Sequence, residues 1–420
     1  MEKVKGTRDF YPEEMEIENY ILDTWKKVAK NYNYKEIEGP ILESAEIYKK
    51  SGQEIPEQTY QLQDKSGRQL VLRPELTPTI ARMIQQRKDL SKPIKWFSLP
   101  RCFRYEAPQS GRQREFYQFN IDCLGSDSML ADAEILATLI DIMKSFGLTE
   151  KDFYIRISNR KVLQSLIESI GFLKIKELFR LIDKKDKLTE EAFLFSLKEL
   201  GMTKDQIERL SSFLNINQID KIQMYCKDLV GKQGYEELSS LLNYLEQMNI
   251  SKYCKIDLSI MRGFDYYTST VFELFDNEKK YRAIAGGGRY DDLAGIPGVG
   301  YGMGDIVLQL FLEEKLKLKK IKKQSSVYIL CIDEEYYEKA FKLAQELREI
   351  IPVEMEIMKK SIGKQFEYCN QQSFPYVIII GEDEIKKKKF KLKDMKTSKE
   401  KLMTQEQLEK FFTKLKKPEQ

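Results

Sequence analysis

The chain has 420 residues, enough for two to three domains, with 42% hydrophobic and 32% charged residues and a formal net charge of +4. A positive excess that small does not by itself announce a nucleic-acid partner. The chain contains no histidine, which excludes Ser-His-Asp and Cys-His catalysis, imidazole-based zinc sites and any side-chain imidazole proton shuttle.

The N-terminus lacks the apolar core of a signal peptide, and no apolar run is long enough to span a bilayer, so no membrane association and a cytoplasmic location are expected. The first periodic segment, residues 13–34, carries Ile17, Tyr20, Ile21, Trp25 and Val28 at helical spacing. Residues 35–42 read as a strand interrupted by Pro40, which confines it to a sheet edge or an interface. A short strand is expected at 69–73, two more at 94–105 and 114–124 around a loop at 107–111, and a helix at 129–146. Residues 160–250 are helical, rich in Leu, Ile, Lys and Glu, and divided by turn signals at Gly171, Gly201 and Gly231 to Gly234. Strand-like text returns at 254–275 and 281–285, followed by a glycine-rich run from Gly286 to Gly304. Beyond a lysine-rich connector at about 315–325, strands at 327–332, 353–358 and 376–380 alternate with helices at 336–349 and 361–372, the pattern of a small α/β domain. The basic runs at 315–323 and 386–393 read singly as solvated faces, and together are compatible with an RNA backbone nearby. The six scattered cysteines form no CxxC pair and are expected to be reduced and mostly buried, so no metal is expected on His or Cys.

Three segments carry polar chemistry. In FRYEAPQSGRQREFYQFNID, Arg104 and Glu106 share one face of a strand, as do Gln118 and Asp122 on the returning strand. The loop between them bears Arg112 and Arg114. Such a face makes a poor core and a good floor for a polar ligand, although a solvated antiparallel face is the ordinary alternative. In AIAGGGRYDDLAGIPGVGYGMG the glycines permit close backbone approach, or equally tight turns and strand packing, and they fit neither a P-loop nor a dinucleotide fingerprint. In RGFDYYTSTVFE, Arg262 and Asp265 precede two tyrosines at the entry to a strand, charges that need partners if buried.

These segments together resemble histidyl-tRNA synthetases, class IIa aminoacyl-tRNA synthetases, over essentially the whole chain. KGTRDFYPEEM is similar to the family's N-terminal signature, EIEGPIL to motif 1, LRPELT to the histidine-binding strand and FRYEAPQSGRQREFYQF to motif 2. RGFDYYTSTVFE resembles the histidyl signature peptide and is the most specific match, and AGGGRYDDL resembles the segment that follows it. The resemblance implies an α/β (α+β) protein: a class II antiparallel-sheet catalytic domain in two parts (residues 1–160 and 251–320), a helical insertion (161–250) and a C-terminal α/β anticodon-binding domain (325–420). It implies ATP with Mg²⁺, L-histidine and tRNA(His) as ligands, and a homodimer with Pro40 at its interface. Arg262 and Arg104 would be the catalytic cations on the α-phosphate, with Arg262 also at the substrate carboxylate. Glu75, Thr77, Gln118, Asp122, Tyr266 and Tyr267 would form the histidine site, and Asp265 would hold the local geometry. Glu106 would contact adenine and Arg112 the β,γ-phosphates. Arg112 and Arg114 would meet the tRNA acceptor end. The implied chemistry needs no protein imidazole, because the attacking substrate carboxylate is already ionised at neutral pH.

Two departures from the family pattern stand out. An acid that is often Glu is here Asp122, one methylene shorter. Motif 3 commonly ends Gly-x-Gly-x-Glu-Arg, whereas GYGMGDIVLQL places Ile306 and Val307 at Glu and Arg. Either Arg289 or Arg112 is expected to supply the missing cation for ATP, or ATP binding is expected to be weaker than is usual for the family. Three alternatives follow: a catalytically silent histidine-binding paralogue serving as regulatory subunit of ATP phosphoribosyltransferase, another class IIa synthetase, and a non-catalytic RNA-binding module. The C-terminal α/β block disfavours the first, the RGFDYY peptide the second and the paired polar residues the third.

Overall fold

The computed structural model describes residues 2–48, 57–87, 89–261, 266–291, 295–316 and 326–416, and the chain divides into two units, residues 1–319 and 320–420. Unit one begins α1 (Pro12–Asn31), β1 (Lys35–Glu36), β2 (Leu42–Ser44), β3 (Tyr60–Gln63), β4 (Gln69–Leu72), α2 (Thr77–Gln86), β5 (Ile94–Ser98), β6 (Arg101–Phe103), β7 (Glu115–Leu124) and α3 (Met129–Ser145). It continues β8 (Phe153–Asn159), α4 (Arg160–Ser169), α5 (Ile175–Asp183), α6 (Glu190–Glu199), α7 (Lys204–Leu214), α8 (Ile219–Gln223) and α9 (Leu229–Gln247). It ends β9 (Cys254–Ile256), β10 (Thr270–Asp276), β11 (Ala285–Tyr290), β12 (Gly298–Gly304) and α10 (Asp305–Leu316).

A nine-stranded sheet in the order β1-β5-β7-β12-β11-β10-β8-β9, with β6 also on β7, organises this unit; only the β1–β5 and β8–β9 pairs are parallel. One face packs against α1 and α3. Ile21, Trp25 and Val28 of α1 are buried there, as their spacing predicts, and the helix ends before Asn33, whose φ of +61° breaks it. Phe119, Ile121 and Cys123 of β7 point into this core. The opposite face of β7 is polar, which follows from the period-two alternation of a strand. A separate three-stranded sheet, β2-β4-β3, flanks α2.

Several expected elements shift for local reasons. Residues 35–42 split into β1 and β2, which belong to different sheets. Pro40 cannot donate to a ladder, and Gly39 packs so closely that an added Cβ would lie 2.5 Å from the Thr79 methyl group. The 94–105 segment breaks at Leu99 and Pro100 into β5 and β6. The strand expected to start at Tyr266 starts at Thr270. The glycine-rich run contains two central strands, β11 and β12. Gly231 and Gly234, expected in a turn, lie inside α9. An added Cβ would fall 2.4 Å from Ser165 Oγ at the first and 2.9 Å from the Val162 backbone nitrogen at the second, so these glycines let α9 approach α4.

Unit two alternates β13 (Val327–Cys331), α11 (Tyr337–Arg348), β14 (Val353–Met355), α12 (Ile362–Gln371) and β15 (Tyr376–Ile380), then adds α13 (Glu382–Lys386), β16 (Phe390–Asp394), β17 (Glu400–Met403) and α14 (Gln405–Lys416). Its sheet order is β14-β13-β15-β16-β17, parallel at β14, β13 and β15 and antiparallel thereafter. Part of the basic run 386–393 forms β16, where Leu392 is buried and Lys391 and Lys393 reach Glu400 at 4.0 and 3.5 Å. The run 315–323 extends outside the described residues. Among the described residues no helix is long and apolar enough to cross a membrane.

Candidate functional site

A cleft of about 1100 Å³ opens on the polar face of the nine-stranded sheet. Glycine spacing makes the room. Gly300 and Gly302 of β12 pair with Asp122 and Asn120 of β7, and a Cβ on Gly300 would sit 2.3 Å from Asp122 Oδ1. A Cβ on Gly302 would sit 2.8 Å from Gln118 Nε2. Alternate glycines on β12 therefore leave the side chains of β7 as the floor.

One end of the floor is aromatic and acidic. Asp122, 3% exposed, accepts a hydrogen bond at Oδ1 from the Tyr290 hydroxyl at 2.6 Å, while its Oδ2 is buried without a hydrogen-bond partner. Burial is the main reason its carboxyl is pushed up to about 7; the Tyr290 hydrogen bond opposes the shift and the Glu75 charge adds to it. The Tyr266 ring lies 4.8 Å from Tyr267 and 6.0 Å from Tyr290 between centroids, and its hydroxyl donates to Glu75 Oε2 at 3.4 Å. Glu75 precedes α2, whose first residue, Thr77, also lines the cleft. Gln118 Nε2 donates to Asn120 Oδ1 at 2.8 Å, and Gln118 Oε1 accepts from Arg104 at 3.5 Å.

The other end is cationic. Arg104 is fixed by donation of its Nε to the Pro74 carbonyl at 3.0 Å, with its guanidinium 5.1 Å from the Phe116 ring. Arg112 forms an ion pair with the buried carboxylate of Glu106 across a tight turn, in which Gln109 and Arg112 exchange backbone hydrogen bonds of 3.1 and 2.9 Å. Gly111 in that turn has φ +73°, and a Cβ there would approach Val307 Cγ2 to 3.1 Å. The loop thus lies directly over the position where motif 3 commonly has arginine.

Most residues singled out from the sequence meet in this one cleft: Glu75, Thr77, Arg104, Glu106, Arg112, Gln118, Asp122, Tyr266 and Tyr267 all line it. Two do not. Arg114 points to the N-terminal segment: its guanidinium lies 4.3 Å from the Tyr105 ring, and it donates to the carbonyl of Glu106 at 3.1 Å. Arg289, expected at ATP, neighbours Tyr290 on β11 and therefore faces the other side of the sheet. There it is 3% exposed, and it donates to Asp132 at 3.0 Å, the Ser126 carbonyl at 2.8 Å and the Ser128 carbonyl at 3.1 Å. Pro40 is exposed, away from the cleft. Arg262 and Asp265 lie outside the described residues. Sequence reasoning missed Tyr290, which holds Asp122, and Arg282, which lines the cationic end. Alternation along the strand from Gly288 signals Tyr290, whereas Arg282, expected in a strand at 281–285, lies in the connection before β11, which starts only at Ala285.

The chain as a whole is similar to known proteins. A family model described as histidyl-tRNA synthetase matches residues 6–302, and one described as anticodon binding domain matches residues 326–415. A histidine–tRNA ligase of Thermoplasma volcanium is 36% identical over 433 residues, covering 99% of each chain. The crystal structure of histidyl-tRNA synthetase from Nostoc sp. PCC 7120 superposes with a TM-score of 0.82 at 26% identity, covering 99% of both chains. A Bacillus halodurans structure described as an ATP phosphoribosyltransferase regulatory subunit/histidyl-tRNA synthetase superposes with a TM-score of 0.76 at 25% identity, over 90% of this chain and 97% of that one.

Proposed function

Because the chain belongs to the histidyl-tRNA synthetase family, we propose that it ligates L-histidine to its cognate tRNA in two steps. ATP and histidine first give histidyl-adenylate and pyrophosphate, and the histidyl group then passes to the tRNA 3′ end. The observation that carries this reading is the polarity of the cleft: a buried carboxylate with one unpartnered oxygen among three tyrosines at one end, and guanidiniums at the other. That pairing suits an imidazole N–H at Asp122 and a triphosphate at Arg104 and Arg112.

In this reading the imidazole sits among Tyr266, Tyr267 and Tyr290, donating to Asp122, with Gln118 beside it. Glu75 and Thr77 receive the α-amino group. The carboxylate then points toward Arg104, the catalytic cation on the α-phosphate, with Arg262 the second. Glu106 and Arg112 flank the adenine and the terminal phosphates. The attacking carboxylate oxygen is already ionised, so the protein contributes positioning and charge stabilisation rather than a general base. Among the described residues no group of three acidic, Cys or His side chains could hold a metal alone. The hard carboxylate oxygens lining the cleft, with Glu273 among them, still fit Mg²⁺ carried on ATP phosphates, where it would neutralise charge.

Residues 161–250 form a helical insertion in the catalytic domain, and 325–420 bind the anticodon region of tRNA(His). Arg112 and Arg114 bear on the acceptor end. The protein acts as a cytoplasmic homodimer joined through the Pro40 segment. The experiment that tests the activity is ATP–pyrophosphate exchange with each of the twenty amino acids separately. Exchange with histidine alone is expected. Exchange with another amino acid would replace the specificity, and none, from protein that still binds histidine, would favour the regulatory paralogue.

A further inference from the structure

Motif 3 places Val307, not arginine, at the start of α10, and the side chain is buried under Gly111 of the loop above. The cation expected from Arg289 is behind the sheet, bound to Asp132. The cationic end of the cleft nevertheless holds a third guanidinium, Arg282, in the connection between β10 and β11. Strand register brings it there. Ala285 pairs with Met303, so the residues just before β11 run beside those just after β12, Asp305 to Val307. Arg282 is exposed to the solvent of the cleft, and among the described residues it makes no hydrogen bond or ion pair. Partial removal from water, then the nearby charges of Arg112 and Arg104, hold its pKa below the usual arginine value, against the opposing pull of Glu106 and Glu273.

Three guanidiniums, Arg104, Arg112 and Arg282, therefore line the cationic end of the cleft, and Arg112 is already paired with Glu106. Such a cluster is stabilised by a polyanion that brings several oxygens at once. We propose that Arg282 binds the β,γ-phosphates of ATP and so replaces, from the opposite strand, the cation missing at Val307. This inference rests on the synthetase reading for the identity of the nucleotide, and it deepens that reading by assigning the terminal-phosphate contact to a residue outside the three class motifs.

The decisive measurement is equilibrium binding of ATP and of AMP to the intact chain, comparing the parent with Arg282→Ala and Arg282→Lys. AMP carries the adenosine and α-phosphate but not the two terminal phosphates. Arg282→Ala is expected to weaken ATP about tenfold or more and leave AMP within about twofold, with Arg282→Lys recovering part of the loss because it keeps the charge without the planar fork. An ATP affinity unchanged in Arg282→Ala overturns the inference. An equal loss for AMP also overturns it, since a general distortion or an adenosine contact would act on both. A parent that prefers ATP to AMP but performs no histidine-dependent pyrophosphate exchange sinks the synthetase reading while leaving the phosphate contact measurable.

Discussion

At the residue scale the balance at Asp122 bears on stability and, in the proposed histidine site, on substrate capture. Its carboxyl, held at about 7 chiefly by burial, titrates near 3.8 when unfolded. Between those values the native state binds the extra proton, so this group's contribution to stability is greatest below about pH 4 and declines as pH rises toward 7. Asp122→Asn imitates the protonated acid. It is expected to flatten the pH dependence of urea unfolding between pH 5 and 8, and at pH 8 to be more stable than the parent by on the order of 1–3 kcal/mol. The same change removes a charged acceptor for imidazole and is expected to weaken histidine about 10- to 100-fold in calorimetric titration. Unaltered histidine affinity would exclude Asp122 from the substrate site. Gln118 and Asp122 were readable as one face because a strand has period two and nothing intervenes between them. Arg289 was not readable, because which of two adjacent residues meets a cleft depends on the face its strand turns to the site. That face is set by pairing with β12, a long-range fact.

At the element scale, glycine has opposite meanings in the same chain. In β12 it clears space for Asp122 and Gln118, and in α9 it admits a neighbouring helix. An exposed helical Gly→Ala change ordinarily stabilises by up to about 1 kcal/mol. At Gly234 the new methyl would lie 2.8 Å from Lys161 Cβ and 2.9 Å from both Asn159 Oδ1 and the Val162 nitrogen. Gly234→Ala is therefore expected to destabilise by roughly 1–3 kcal/mol, read from the chemical denaturation midpoint, because backbone of α4 must move. A stabilised variant would show that the two helices are not in contact as described. Sequence alone gave these glycines the reading of a turn, since local propensity cannot report a helix packed alongside. The helices flanking them were legible, because apolar spacing persists through the glycine positions.

At the scale of the whole molecule, the alternation of strands and helices after residue 325 was plain in the sequence, and it corresponds to a unit with its own buried core of Val327, Ile329, Leu343, Ile378 and Phe412. What a single chain's periodicity does not reveal is which of its surfaces is left for a second copy. Ile41 and Leu42 adjoin the exposed Pro40 and are each 47% exposed, and β2 is an edge strand of the small sheet β2-β4-β3. Apolar side chains on an open edge invite association with another chain. The proposed homodimer would cover them, and burial of each would contribute about 1–2 kcal/mol per copy. The doubly substituted chain Ile41→Asp with Leu42→Asp is accordingly expected to sediment as a monomer while keeping its far-ultraviolet circular dichroism. Exchange activity is expected to fall with dimer content, because the three-stranded sheet bearing this edge leads through β4 directly to Glu75 and Thr77 of the cleft. A parent that is itself monomeric at micromolar concentration and fully active would remove the dimer from the mechanism. It would leave the Ile41–Leu42 edge as apolar surface whose exposure must then be tolerated by the isolated chain.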